Sequence, residues 1–221
     1  MRNKTFISSM VGIAAAVAVA GSANAAAVSV WTFGPTPTAT FNTPNPTSNT
    51  NSKASSGNAS GLWNSYYAEV YALGSDMIAT SASMQFAVGS SVAAYAMLTL
   101  ESIAGANLLG VTDFQFNVTA YTGGATLWEI VATDINGNLV NSGQVSTSGT
   151  GQKTFAVSSF TQFPGSTGFD WSQVTSMNFN VYSTGAATSF TFDSWTAAVP
   201  APGALALLGA AGLVGARRRR A

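Results

Sequence analysis

Histidine and cysteine are both absent from the 221-residue chain. That removes the usual general base near neutral pH, the commonest metal ligand, and all thiolate and disulfide chemistry. Reactivity must come from carboxylates, hydroxyls, amides or aromatic rings. The carboxylates are Glu69, Asp76, Glu101, Asp113, Glu129, Asp134, Asp170 and Asp193. A glycosidase needs two carboxyl groups about 5 to 10 Å apart around a sugar. Glu69, Glu101 and Glu129 can supply such a pair; the alternative is that all eight acids are solvated surface charges. Asp134-Ile135-Asn136-Gly137-Asn138 sets oxygen donors at alternate positions, as calcium prefers, and Asp193 is a further oxygen donor for such a site. The same five residues read as a turn, and they lack the distal bidentate glutamate of an EF-hand loop. The metal-free reading is preferred, with Asp134, Asn136 and Asp193 as calcium candidates. Nothing in the pattern calls for a cofactor. Aromatic rings are the remaining lead. The 5 tryptophans and 6 tyrosines, Tyr71, Tyr95 and Tyr182 among them, could supply a sugar-stacking platform. Trp63, Tyr66 and Tyr67 lie beside a Ser-rich stretch and are the candidates for its exposed cluster, against the alternative that they pack in the core.

The elements that must position these groups follow from composition and period. Hydrophobic residues make up 47% of the chain and charged residues 7%, against about 25% charged in ordinary soluble proteins. Polar surface must therefore come from Ser, Thr, Asn, Gln and Gly, which suits short strands and turns. Between residues 26 and 198, Lys53 and Lys153 stand against all eight acids, so this segment carries −6. Such a surface excludes nucleic-acid binding, which needs several Lys or Arg on one face.

Val28–Phe33 alternates well enough for a first strand. Residues 34–61 are rich in Thr, Pro, Asn and Ser and predict a long exposed loop. From Leu62 onward the period is two. Residues 67–73, 83–88, 114–120, 128–132, 139–145, 154–158, 174–182 and 188–197 read as strands, while 94–101 suits a helix as well. Asn136-Gly137 signals a hairpin turn. Met177, Phe179 and Val181 should face the core, with Asn178 and Asn180 opposite. Eight to ten short strands predict an all-β domain over residues 26–198, an antiparallel β-sandwich of jelly-roll type. Its last part, Phe169–Ala197, carries Asp170-Trp171-Ser172-Gln173-Val174-Thr175 ahead of two closing strands. That step resembles jelly rolls of the carbohydrate-binding-module kind.

The two ends read as addresses. In residues 1–25, Arg2 and Lys4 precede an apolar run, Phe6–Ala20. Ala23 and Ala25 then supply the small residues of a cleavage site before Ala26, the order of a secretory signal peptide, with a helix as its apolar part. At the other end, Val199, Pro200, Ala201 and Pro202 precede the apolar run 203–216. Arg217, Arg218, Arg219 and Arg220 follow. The prolines isolate this run from the domain. It is short for a bilayer span of about 20 residues, and the arginines should stay cytoplasmic. A signal at the front and an arginine stop at the back both place residues 26–198 outside the inner membrane.

The tail, residues 199–221, resembles the PEP-CTERM sorting signal: a Pro-x-Pro motif, an apolar transmembrane-like helix and a closing arginine cluster. Ala201 stands where that family usually has Glu. The resemblance implies recognition by an exosortase, a membrane-embedded cysteine transpeptidase-like enzyme, and delivery to the cell envelope or extracellular matrix. The partners implied are the Sec translocon, signal peptidase, an exosortase, the inner membrane in passing and exopolysaccharide. The function expected is that of an exported, non-enzymatic surface or matrix protein. Its alternatives are a carbohydrate-binding module that holds exopolysaccharide and a small glycan-active enzyme. Mass spectrometry of the mature protein should find an N-terminus at Ala26 and a C-terminus near Pro202; an uncut chain at the cell surface would overturn this reading of the ends.

Overall fold

The computed structural model describes residues 26–31, 33, 40–43, 46, 50–56 and 62–199. Among these, fifteen strands, numbered in chain order, form two antiparallel sheets packed face to face. In the first sheet β12 (Gly151–Ala156), β8 (Asp113–Gly123), β15 (Thr188–Val199), β6 (Met84–Val88), β5 (Asp76–Ala79) and β2 (Phe41–Thr43) lie side by side, and β1 (Ala26–Trp31) pairs with the later half of β15. In the second sheet the order is β13 (Thr161–Gln162), β10 (Leu139–Asn141), β9 (Thr126–Asp134), β14 (Val174–Ser183), β7 (Tyr95–Ala106), β4 (Ser65–Tyr71) and β3 (Asn51–Ser56). There β11 (Val145–Thr147) also pairs with β9.

The burial pattern is the reason these segments are strands. β9 alternates buried and half-buried residues along its whole length, Thr126 to Asp134. Met177, Phe179 and Val181 of β14 are buried in the interior, as their spacing predicts. Segment 94–101, ambiguous in sequence, is strand: Ala96, Leu98 and Leu100 fill the core and Tyr95, Met97 and Thr99 are half-buried on the other side. Small Ala residues at inward positions leave room for large rings opposite. Those rings fill the middle of the sandwich. Phe116 stacks on Phe179 at 4.5 Å across the inter-sheet gap, Trp195 stacks on Phe116 at 5.1 Å, and Trp128 meets Phe190 at 4.5 Å.

Three expectations need correction. The segment 34–61 is not one loop, because β2 and β3 lie within it and extend both sheets. Its polar residues suit edge strands, which bury one face or none. Phe41, the one aromatic ring there, stacks on Tyr66 at 4.7 Å. Residues 139–145 are not one return strand either. Gly143 has φ +69°, which breaks the run into β10 and β11. Segment 76–79, unassigned in sequence, is β5. The hairpin at Asn136-Gly137 forms as expected, joining β9 to β10 with Gly137 at φ +80°.

The proposed signal helix, Ala23 and Ala25, the motif residues Pro200, Ala201 and Pro202, the tail helix and Arg217–Arg220 lie outside the described residues. Among the described residues no helix is long and apolar enough to cross a membrane. Ala26 and Val199 are direct cross-strand partners in β1 and β15, so the chain joins and leaves the sandwich at the same end.

Truncating the inter-sheet stack should be costly. Phe116→Ala should lower unfolding free energy by about 3–5 kcal/mol in urea titration; a loss under about 1 kcal/mol would show that the stack is not what joins the sheets.

Candidate functional site on the outer face of the second sheet

Side chains that alternate away from the core on β3, β4, β7, β14 and β9 fall into rows, because the register of all five strands is continuous here. One row runs Asn51, Tyr71, Tyr95, Tyr182, Leu127. The next runs Lys53, Glu69, Met97, Asn180, Glu129. Beside it stand Tyr67, Thr99, Asn178 and Val131. Four tyrosines, two carboxylates, amides and one cation thus stand in these three rows. Tyr71 and Tyr95 stack at 5.7 Å with their planes 11° apart.

Glu69 is the hub. Its carboxylate accepts hydrogen bonds from Asn51 Nδ2 and from the hydroxyls of Tyr67 and Tyr95, and it pairs with Lys53 Nζ at 3.4 Å. The ammonium of Lys53 also lies 5.3 Å from the Tyr67 ring centre. Burial alone would raise the Glu69 carboxyl, but the tyrosine hydrogen bonds and the Lys53 charge outweigh it and hold it below the usual carboxylate range. Burial and the neighbouring Glu69 carboxylate push the Tyr95 hydroxyl up. Every partner therefore keeps the proton it donates. A second, smaller group lies two strands away. Glu129 Oε2 accepts from Tyr182 Oη at 3.1 Å and from Asn180 Nδ2 at 3.4 Å, and burial together with Glu129 pushes the Tyr182 hydroxyl up to about 12.

Between the two groups is a shallow depression of about 220 Å³ lined by Tyr95, Met97, Asn180 and Tyr182. A wider one of about 430 Å³ lies farther along the face, lined by Ser65, Glu101, Ser102, Ile103, Thr175 and Ser176. A third, of about 320 Å³, lies off this face between β11 and β12. The arrangement offers ring faces and fixed hydrogen-bond acceptors. Chemically it suits holding a polyhydroxylated ligand.

The sequence candidates fare unevenly. Trp63 and Tyr66 are not exposed: they are 2% and 5% accessible. Trp63 Nε1 donates to Val30 O at 2.9 Å and so holds β1, and Tyr66 lies under Phe41. Tyr66 and Tyr67 are adjacent on one strand and must point to opposite faces, so only Tyr67 reaches the outer face. Asp134 serves the turn. Burial would raise its carboxyl, but hydrogen bonds from the Asn138 side chain and from the backbone N–H of Asp170, Asn138 and Asn136 hold it low. Asn136 joins it only through that backbone N–H. Asp193 lies in the other sheet and accepts from Asn117 Nδ2 at 2.8 Å. The calcium candidates are thus not brought together, and among the described residues no group of three or more acids is placed to hold a metal. Glu69, Glu101 and Glu129 do share a face. Even so, three strand spacings separate the backbones of Glu69 and Glu129, about 14 Å, and four residues along neighbouring strands separate Glu69 from Glu101 by a similar distance.

Sequence reasoning counts Tyr71, Tyr95 and Tyr182 among the rings able to form a platform but favours Trp63, Tyr66 and Tyr67, and it gives Asn180 no part in the site. The available signal was the spacing of Tyr67, Glu69 and Tyr71 at i, i+2 and i+4, which puts all three on one side of a strand.

Because Glu69 is held low, its stabilising effect is complete above the pKa it has in the unfolded chain and is lost as pH falls through the folded value. Glu69→Ala should cost about 1–3 kcal/mol at pH 7, and its stability should change less than that of the wild type between pH 6 and pH 3. Parallel acid limbs for the two proteins in urea titrations would contradict the hub assignment.

No family model matches the chain, and no curated protein matches it. Among solved structures it is similar to the family 11 carbohydrate-binding module of the cellulosomal cellulase Lic26A-Cel5E of Clostridium thermocellum, at 12% identity and TM-score 0.45, covering 80% of this chain and 96% of that one. It is also similar to an agarase, AgWH50C, at 11% identity and TM-score 0.42, over 61% of this chain and 23% of that one. A third is a carbohydrate-binding module specific for non-crystalline cellulose, at 13% identity and TM-score 0.32, over 56% and 76%.

Proposed function

We propose that this chain is an exported, non-enzymatic module that holds polysaccharide on the outer face of its second sheet. The observation that carries the reading is the set of four tyrosines, Tyr67, Tyr71, Tyr95 and Tyr182, standing on one face among acceptors already fixed in place. Sugar rings present apolar C–H faces and a rim of hydroxyls. A face of aromatic rings interleaved with carboxylate and amide oxygens complements both. The path of the chain, which passes back and forth between the sheets, supports the jelly-roll description.

Two facts favour binding over hydrolysis. The backbones that carry Glu69 and Glu129 lie about 14 Å apart, and those that carry Glu69 and Glu101 a similar distance. None of the three depressions holds more than one carboxylate, and Glu69 is kept ionised, so it makes a poor proton donor.

The address belongs to the same proposal. The secretory signal and the PEP-CTERM-like tail would deliver the domain outside the inner membrane, with the Sec translocon, signal peptidase and an exosortase as partners and the envelope or extracellular matrix as destination. The pairing of Ala26 with Val199 supports domain boundaries at these two points, since cuts just outside them leave β1 and β15 whole.

Electrophoresis in gels containing soluble polysaccharide tests the binding reading. Tyr95→Ala and Tyr182→Ala should each weaken retardation about tenfold or more, the scale of one well-packed interface aromatic. Tyr66→Ala should lower stability and leave retardation intact in the folded fraction. Retardation that survives the double variant Tyr95→Ala/Tyr182→Ala would move the site elsewhere.

A further inference from the structure

Asn180 is 7% exposed, and its Oδ1 has no hydrogen-bond partner. Its Nδ2 donates to Glu129 Oε2. A carboxylate only accepts, so Glu129 fixes the amide's orientation: the flipped amide would set two acceptors against each other. Oδ1 is therefore turned away from β9, toward its other row neighbour, Met97 of β7. The hydroxyls on either side are already committed, Tyr95 to Glu69 and Tyr182 to Glu129. Among the described residues nothing supplies the missing donor. A buried acceptor without one is rare, because it loses water and gains nothing. Here it borders the depression of about 220 Å³, smaller than the pockets of about 300–1,000 Å³ that enclose whole small ligands. That size suits one ring of a polymer lying across the face. Met97, which also lines it, has an unbranched thioether chain that can change rotamer and expose Oδ1.

The charged groups nearest the depression are carboxylates. Glu129 is one strand from Asn180 and Glu69 two strands, about 5 and 10 Å between backbones. The one cation in these rows, Lys53, is already paired with Glu69. A ligand carboxylate placed here would be repelled over distances at which salt screens only in part. Resting on the glycan-binding reading of this face, we infer that the depression between Tyr95 and Tyr182 is a subsite for one uncharged pyranose unit, in which Asn180 Oδ1 accepts from a sugar hydroxyl and the flanking Glu69 and Glu129 exclude uronic acids.

The test is affinity electrophoresis of the full chain against three neutral polymers (hydroxyethylcellulose, laminarin and dextran) and against the polyuronate alginate. At least one neutral polymer should retard the wild type and alginate should not. Asn180→Leu should weaken binding to the retarding polymer about tenfold, the scale of one buried hydrogen bond, with an unchanged melting temperature. If the leucine does not fold, Asn180→Ala reads the same acceptor without added bulk. Glu129→Gln should raise the ratio of alginate to neutral binding. Unchanged affinity in a folded Asn180 variant would overturn the acceptor role, and alginate binding equal to neutral binding would overturn the charge selection. Either result leaves the face itself standing if Tyr95→Ala still weakens retardation about tenfold or more. Retardation by none of the four polymers overturns the face and the subsite together.

Discussion

Phe116 and Phe179 stack at 4.5 Å between two separately hydrogen-bonded sheets, and the rest of the sandwich is arranged around that contact. Sheets packed face to face lie about 10 Å apart, a gap that small residues cannot fill from both sides. Here rings fill it. Phe86, Phe190, Phe192, Trp128 and Trp195 surround the central pair, while Ala68, Ala96 and Ala132 make room for them. Strand periodicity does the rest: every inward ring commits its two neighbours to the outer surface. Placing Phe179 and Val181 inside is what puts Asn180 and Tyr182 outside.

The outer faces then differ in what they present. With so few charged residues, the first sheet covers itself mainly with polar groups that bond one another: Gln115 with Gln152, Gln85 with Ser189, and Asn117 with the Asp193 carboxylate. The second sheet carries four outward tyrosines and, among them, the carboxylates Glu69 and Glu129. Its hub, Glu69, is held ionised by three hydrogen bonds and a lysine, which fixes Tyr67 and Tyr95 where they stand. A rigid aromatic face loses little side-chain freedom when a ligand settles on it, and that is what makes it a better binding surface than the hydroxyl-rich face opposite.

Much of this was legible in the sequence, and what was not has identifiable causes. Alternation placed Phe114, Phe116 and Val118, and again Met177, Phe179 and Val181, in the core. Asn136-Gly137 announced its hairpin. Edge strands β2 and β3 were hidden because a strand at a sheet margin needs little apolar surface, so Ser, Thr and Asn read as loop. The site was hidden for a different reason. Period two shows that Tyr66 and Tyr67 face opposite ways, but not which of them faces in. That choice depends on Phe41 and Trp31 lying over Tyr66, contacts about 25 and 35 residues distant in sequence. Neither could local pattern reveal that Tyr71, Tyr95 and Tyr182, from three separate strands, would fall into one row. Register across a sheet is a long-range property.

The central claim is that one face of one sheet is the binding surface. Backbone amide NMR of the labelled chain, titrated with a soluble polysaccharide that retards it in gels, tests that claim directly. Binding on this face should concentrate shift changes on β4, β7 and β14, around Glu69, Met97 and Asn180, with the amides of β8 and β15 undisturbed. Changes centred on the first sheet, or on the loops at either end of the sandwich, would contradict it.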